Sequence, residues 1–477
     1  MLLKAFLSIV LLALTVSAQD SLTYRVDYST NKPDIVHIAI QPSQPLRGPL
    51  TLIIPRAITS GYSQRLYDRY VESVSASSSD QKPSKIGRQE GSRWTVGDRD
   101  ALVSRVEYDV NLARLEQEIT GAADASKRRP EYVGLLGYSI FGFLEGKENT
   151  SIQLDVRGPD GWPIFTTLQP KSPADKSITK AGAKDFYALA DSQIAMGPRL
   201  NVRQLEAPVP LFLISYVEAE TDLEKHGELF ADAFRKVLTY FGSPPFKHYT
   251  AQIEILKPVS ENHSYGFSME HLDSSTYFLG VDRIINANTT SEQLERERFN
   301  FAHHVVHSWI PKRFYGTGYL PFNWELAPLI DTIWFNEGFA RFIATEALTA
   351  HLPEKESQEV RKRRSDQLRR TIEGMPEFIR NMPLLELSRV GSLMYSEDFR
   401  TGRTLFSKGA LMAEEIDVLI RQKTGGKKRL RDSIHAMMSW AEKSGRAFRL
   451  EELPGLIGKP VGVDEKEIKA IMDRWLR

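Results

Sequence analysis

Apolar and polar positions divide the chain into a strand-patterned first part and a helix-patterned last part. LTYRVDYS, IVHIAIQP, LTLIIPRA, SRVEYDVNL and SIQLDVRG are short β-branched or alternating runs, punctuated by Pro, Gly, Asp and Asn, and each reads as a strand. Between them, 75–91 is polar and Ser-rich and reads as a long surface loop. The pattern predicts a β-sandwich-like N-terminal domain. A transition over 172–207 leads to LFLISYV, a buried strand. In 222–241, Leu223, Leu229, Phe230, Phe234, Val237 and Leu238 recur with helical spacing, and Gly242-Ser243-Pro244-Pro245 stops the helix. YTAQIEIL reads as a strand and YGFSMEHLDSSTYFLG as a glycine-bearing edge. A helix carrying HHVVH follows, and the chain is strongly helical after Glu337. Within that part, 407–424 reads as an amphipathic helix stopped by Gly425-Gly426. The charge run RKRRSDQLRR (361–370) reads as a solvated helix face in preference to an anion site. The fold class expected is α+β and multidomain: a signal peptide over 1–18, a β-rich domain over 19–205, a catalytic lobe over 206–350 and a helical lobe over 351–477.

Composition changes the picture in one respect, the address. The chain has 477 residues, 41% apolar and 26% charged, with net charge +1. These are the proportions of a globular protein, and nothing in them points to a nucleic-acid partner. Lys4, the apolar run 5–15 and Val16-Ser17-Ala18 have the order of an export signal. That run is too short to span a membrane, so no membrane span is expected after cleavage. With no cysteine there is no disulfide framework and no cysteine-linked lipid. The expectation is an exported protein, periplasmic or secreted and of bacterial type. The sequence does not specify an oligomeric state.

The candidate chemistry lies in FAHHVVHSWIPKRFYG (301–316) and WFNEGFARF (334–342). His303 and His307, at i and i+4, stand one turn apart on one helix face, as two imidazoles sharing a zinc ion must. Glu337, between Phe335 and Phe339, is the candidate third ligand, because a carboxylate in so apolar a setting needs a positive partner. Two histidines and a glutamate with an open fourth position make a catalytic set for one Zn2+. The residue after the first histidine, where a peptidase keeps a general-base glutamate, is His304.

Taken together, these motifs resemble the glycyl aminopeptidase family of zinc metallopeptidases, which are gluzincins related at longer range to alanyl-type aminopeptidases. HHVVHSW, NEGFA and the His307-to-Glu337 spacing are similar to that family's zinc site, and Trp309 and Lys312-Arg313 match the run after its second histidine. The segment 265–271 resembles the stretch that lies along the substrate, so the resemblance makes Gly266 and Glu270 substrate-binding residues. Glu270 would meet a peptide amino terminus or else pair with a neighbouring cation. Ser407-Lys408-Gly409-Ala410 resembles a later helix start. The resemblance covers most of 180–477. It implies a thermolysin-like catalytic lobe, hydrolysis of N-terminal peptide bonds, and peptide or protein N-termini as partners. Family members often carry a PDZ domain, which is not expected here.

Two positions depart from the pattern: His304 replaces the general base, and Phe406 stands where related enzymes place a Tyr that steadies the oxyanion. His304 could act as an altered base or as a further zinc ligand. Tyr265 or Tyr277 could replace the missing hydroxyl, and neither Glu325 nor Asp331 suits the role of substitute base. Two readings follow, a slow zinc aminopeptidase and a zinc- and peptide-binding pseudopeptidase.

Overall fold

The computed structural model describes residues 20–477 apart from 59–60, 120–123, 321 and 396. The apolar run and small residues read as an export signal lie outside the described residues. Up to about residue 200 the elements are nearly all strands. A six-stranded sheet runs in the order Ile178–Ala183, Ser151–Arg157, Ser21–Tyr28, Ile35–Pro42, Arg105–Asn111, Val71–Ser77. In the Ser21–Tyr28 strand burial alternates strictly, with Leu22, Tyr24, Val26 and Tyr28 inward, as period-2 geometry requires of a sheet with one buried face. A four-stranded, a five-stranded and a two-stranded sheet also belong to this part.

The expected loop over 75–91 is in part structured. Val71–Ser77 and Ile86–Arg88 are strands, leaving 78–85 as the loop. Both are end strands of their sheets. An edge strand wetted on one side tolerates serine and shows little apolar alternation, which is why the sequence hid them.

The next sheet positions the site. Its order is Asn201–Leu205, Leu211–Val217, Tyr249–Leu256, Ser274–Gly280, Gly266–Glu270. The middle three strands are parallel and the outer pairings antiparallel. Every residue of Tyr249–Leu256 is buried, because helices and the strand-rich part cover both faces. The Leu223–Phe241 helix makes the parallel crossover. Asp222 caps its start and Gly242, at φ 89°, ends it, a backbone conformation that favours glycine. The Ser291–Val306 helix packs beside it through Phe230 and Phe301, ring centroids 5.5 Å apart. Thr290 and Gln293 close its N-terminus with a capping box.

Helices dominate from Ala340 onward. One of them, Phe399–Lys423, begins eight residues before the expected start at Ser407. Thr401, Gly402, Thr404 and Ser407 resemble a break in the sequence. However, the Thr404 hydroxyl donates to the Arg400 carbonyl (2.9 Å) and that of Ser407 to Arg403 (2.8 Å), so these polar groups are satisfied within the helix. Among the described residues no helix is long and apolar enough to cross a membrane.

Candidate metal centre

The Ser291–Val306 helix ends as it delivers the histidines. His303 lies in its last turn and His307 is its C-cap residue. Glu337 comes from a π-helical turn, Trp334–Phe339, that runs into the Ala340–Thr349 helix. Such single wide turns re-aim a side chain and recur at functional sites.

His303 Nε2 and His307 Nε2 are 3.2 Å apart, and Glu337 Oε2 lies 3.3 and 3.4 Å from them. Ligand atoms at the usual zinc distances on the corners of a tetrahedron would be separated by about 3.3 Å. Three buried donors from two elements therefore sit at the corners a zinc ion requires, and the residues fit the metal. His307 Nδ1 is 2.8 Å from the Ile310 carbonyl. Its proton goes there, which leaves the Nε2 lone pair for a metal.

Electrostatics separate the three imidazoles. Burial lowers the pKa of His303 well below its ordinary value, and the neighbouring His307, His304 and Arg341 add to this. Burial likewise pushes His304 down to about 4, with His307 contributing. For His307 burial also works downward, but the carboxylates of Glu270 and Glu337 outweigh it and raise the pKa to about 9.

His304 Nδ1 is 2.8 Å from the Asn300 carbonyl. Donation there makes Nε2 the lone-pair nitrogen. The ring lines two cavities at once. One, of about 40 Å³, also touches Tyr62, Glu270, Glu337 and Tyr395. The other, of about 570 Å³, extends past His303, Phe299 and Phe406.

Glu270 ends the Gly266–Glu270 strand. It is buried, and its Oε1 has no hydrogen-bond partner among the described residues. The salt bridge that the sequence left open is absent there, and the carboxylate faces the small cavity. Gly266 is exposed at the other end of the strand and lines the larger cavity. That strand is the last of its sheet, with one long side unpaired within it. The Asn300 amide donates to Ser268 Oγ (3.0 Å), fastening the strand to the histidine helix.

Other residues of the motif stretches and loops sit elsewhere. His271 is buried between Asp191 and Thr276 (3.3 and 3.2 Å), and Lys312 Nζ reaches the same Asp191 at 3.0 Å. This is a structural knot behind the site. Glu325 is held by Arg93 (2.6 Å) and Asp331 by Arg389 (2.7 Å), so neither serves as a base. Tyr265 donates to Glu116 (2.7 Å). Tyr277 is fully buried with its ring edge-on to His304. Neither tyrosine lines the small cavity.

Two residues were missed by sequence reasoning. Tyr395 lines both cavities, and burial together with Glu337 and Glu270 keeps its phenol well above the ordinary pKa and protonated. Its ring centroid is 5.6 Å from that of Phe406. Tyr62, from the strand-rich part, accepts a hydrogen bond from the Asn336 amide (3.1 Å). It holds φ at +44°, a conformation a bulky residue adopts only when its surroundings enforce it. No sequence signal marks Tyr62. Tyr395 carries a faint one, lying in the helical part about three turns before the Phe406 position.

Residues 23–198 match the model described as Peptidase M61 N-terminal domain. No curated protein is similar enough in sequence to match. Among solved structures, an aminopeptidase N family protein from Idiomarina loihiensis superposes with TM-score 0.80 at 17% identity, covering 94% of this chain and 75% of that one. The M1 zinc metallopeptidase of Deinococcus radiodurans gives TM-score 0.55 at 14% identity, covering 96% and 93%. Yeast LTA4 hydrolase gives TM-score 0.56 at 13% identity, covering 95% and 66%. At these identities the likeness speaks for fold alone: over nearly its whole length, this chain shares the fold of these three proteins.

Proposed function

We propose that this chain is a zinc-dependent, aminopeptidase-like protein that binds peptide N-termini and hydrolyses the first peptide bond slowly. The observation that carries the reading is the His303–His307–Glu337 triangle, with edges of 3.2 to 3.4 Å, beside a buried carboxylate, Glu270, whose Oε1 has no hydrogen-bond partner among the described residues. Zinc held by the three would supply a Lewis acid and activate water. Glu270 meets the ammonium of the substrate. The unpaired side of the Gly266–Glu270 strand offers backbone groups to an extended peptide. The Tyr395 hydroxyl, protonated at neutral pH, donates to the oxygen on which negative charge develops.

His304 limits turnover. Its Nε2 can accept a proton, but a pKa near 4 makes it a weak base at neutral pH. That observation favours the second reading, a pseudopeptidase that binds zinc and peptide without useful turnover. The finer kinship with glycyl aminopeptidases, the exported location and the division into a strand-rich domain, a catalytic lobe and a helical lobe belong to the same proposal. Because Asn201–Leu205 is hydrogen-bonded into the central sheet, the first domain boundary is better drawn nearer 200 than 205.

The test is zinc content of the purified protein by elemental analysis, followed by a peptide panel. One zinc per chain, lost in His303→Ala, with slow release of N-terminal residues, supports the aminopeptidase. Zinc and peptide binding without release supports the second reading. A protein that takes up no zinc at neutral pH rules out both.

A further inference from the structure

The larger cavity contains more positive charge than its own surroundings neutralise. Six arginines line it. Arg283 is bonded to Glu297 (3.1 Å) and Arg361 to Glu346 (2.8 Å), while Arg296 lies 3.7 Å from Glu297. Arg341, Arg364 and Arg403 have no carboxylate within 4 Å among the described residues. Glu414, the acidic residue in the wall, already accepts from the Ser365 hydroxyl (2.7 Å).

Arg341 follows Glu337 by one helical turn, and its Nε is buried without a hydrogen-bond partner among the described residues. Its guanidinium lies 5.0 Å from the Phe406 ring centre, Arg364 lies 4.4 Å from that of Phe299, and Arg403 lies 5.7 Å from that of Phe399. Aromatic faces hold these cations in position without cancelling their charge. Burial depresses the pKa of Arg341 against the pull of Glu337, and that of Arg364, which Arg341 repels, against the pull of Glu295 and Glu292. A guanidinium with no directly paired carboxylate, in a cavity walled by phenylalanine, gains from an anion that reaches it, and its planar fork suits a carboxylate geometrically.

We propose that this cavity is a carboxylate subsite, so that the preferred ligands are short peptides with a free amino end at Glu270 and a carboxylate at Arg341 and Arg364. This rests on the reading of the cleft as a receiver of peptide N-termini. His304 lines both the cavity that Glu270 faces and the one that the arginines line, and about 570 Å³ is room for two or three residues. The carboxylate is either the C-terminus of the peptide or an acidic side chain.

The experiment is calorimetric binding to the zinc-loaded wild-type protein, using tripeptides with a reduced first peptide bond so that turnover cannot intervene. Ala-Ala-Ala acid, its amide, Ala-Glu-Ala amide and Ala-Gln-Ala amide form the set, together with N-acetylated Ala-Ala-Ala acid and its amide. The free acid should bind at least about tenfold more tightly than its amide, as a charge-assisted contact predicts. Arg341→Gln and Arg364→Gln should erase that difference while zinc content and thermal midpoint stay as in the wild type. Preference for Ala-Glu-Ala amide over Ala-Gln-Ala amide would assign the anion to a side chain, and preference confined to the free acid would assign it to the C-terminus. If the acetylated acid still binds better than its amide when no peptide responds to a free amino end, the subsite stands and the N-terminus reading fails. Equal binding of acid and amide in every pair overturns the subsite, and that comparison within the wild type does not depend on any variant folding.

Discussion

Gly338 and Gly409 touch backbone to backbone. A Cβ built on Gly338 would lie 2.4 Å from the Gly409 carbonyl carbon, and one on Gly409 would lie 2.3 Å from the Trp334 carbonyl oxygen. The π-helical turn that carries Glu337 is thus seated directly on the Phe399–Lys423 helix. Neither atom can yield as a flexible side chain would. Gly409→Ala should therefore destabilise the protein by about 1–3 kcal/mol, the usual cost of overpacking, and weaken zinc binding by displacing Glu337. Urea denaturation and zinc titration measure the two effects. Unchanged zinc affinity in a destabilised variant would show that the glycine contact supports the fold without aiming the ligand.

Zinc should compete with a proton held at His307. In the metal-free site Glu270 and Glu337 raise its pKa to about 9 despite burial, so near neutral pH the triangle contains one proton that metal must displace. Zinc affinity should rise about tenfold per pH unit between pH 6 and 8. Calorimetry in two buffers of different ionisation enthalpy should report release of about one proton per zinc. A flat affinity over that range would mean that His307 is already neutral.

Much of this was legible in the sequence, for identifiable reasons. His303, His307 and Glu337 announce themselves because zinc chemistry demands fixed residue types at helical spacing. The buried strand Tyr249–Leu256 does so because both of its faces are covered. Tyr62 and Tyr395 gave almost no signal. Each reaches the site from a different part of the chain through tertiary packing, and a lone tyrosine among small and polar neighbours carries no pattern of its own. The arginines of 361–370 were read as a solvated face, which holds for Lys362 and Arg363, both exposed. Arg361 and Arg364 turn inward to the cavity, a distinction that depends on what packs against the helix.

Away from the site, His226 should make the protein acid-sensitive. It is fully buried, bonded to Thr221 (3.2 Å), and burial lowers its pKa to about 4. The unfolded chain, with a pKa near 6.5, binds the proton more readily. Its contribution is present in full above about pH 6.5, is lost as pH falls towards 4, and levels off below that. The loss amounts to about 3 kcal/mol. Urea unfolding of wild type and His226→Gln at pH 7 and pH 4.5 checks this. The variant should lose less stability over that interval, and identical slopes would remove His226 as the cause.

Turnover should depend on two side chains that face the small cavity, and they can be tested in one background. His304→Glu restores a carboxylate beside the metal ligands, and general acid–base help of that kind is worth about 10²–10⁴-fold. The variant should release N-terminal residues faster than the wild type, with zinc content unchanged. In that background Tyr395→Phe should lower kcat by about 10²–10³-fold, the usual cost of one oxyanion donor, with little change in KM. Phe406→Tyr should do far less. Phe406 lines the larger cavity and not the small one, while Tyr395 already reaches both. If Phe406→Tyr accelerates the reaction and Tyr395→Phe leaves it alone, the oxyanion position is the one the sequence pattern indicated, and the hydroxyl of Tyr395 serves packing alone.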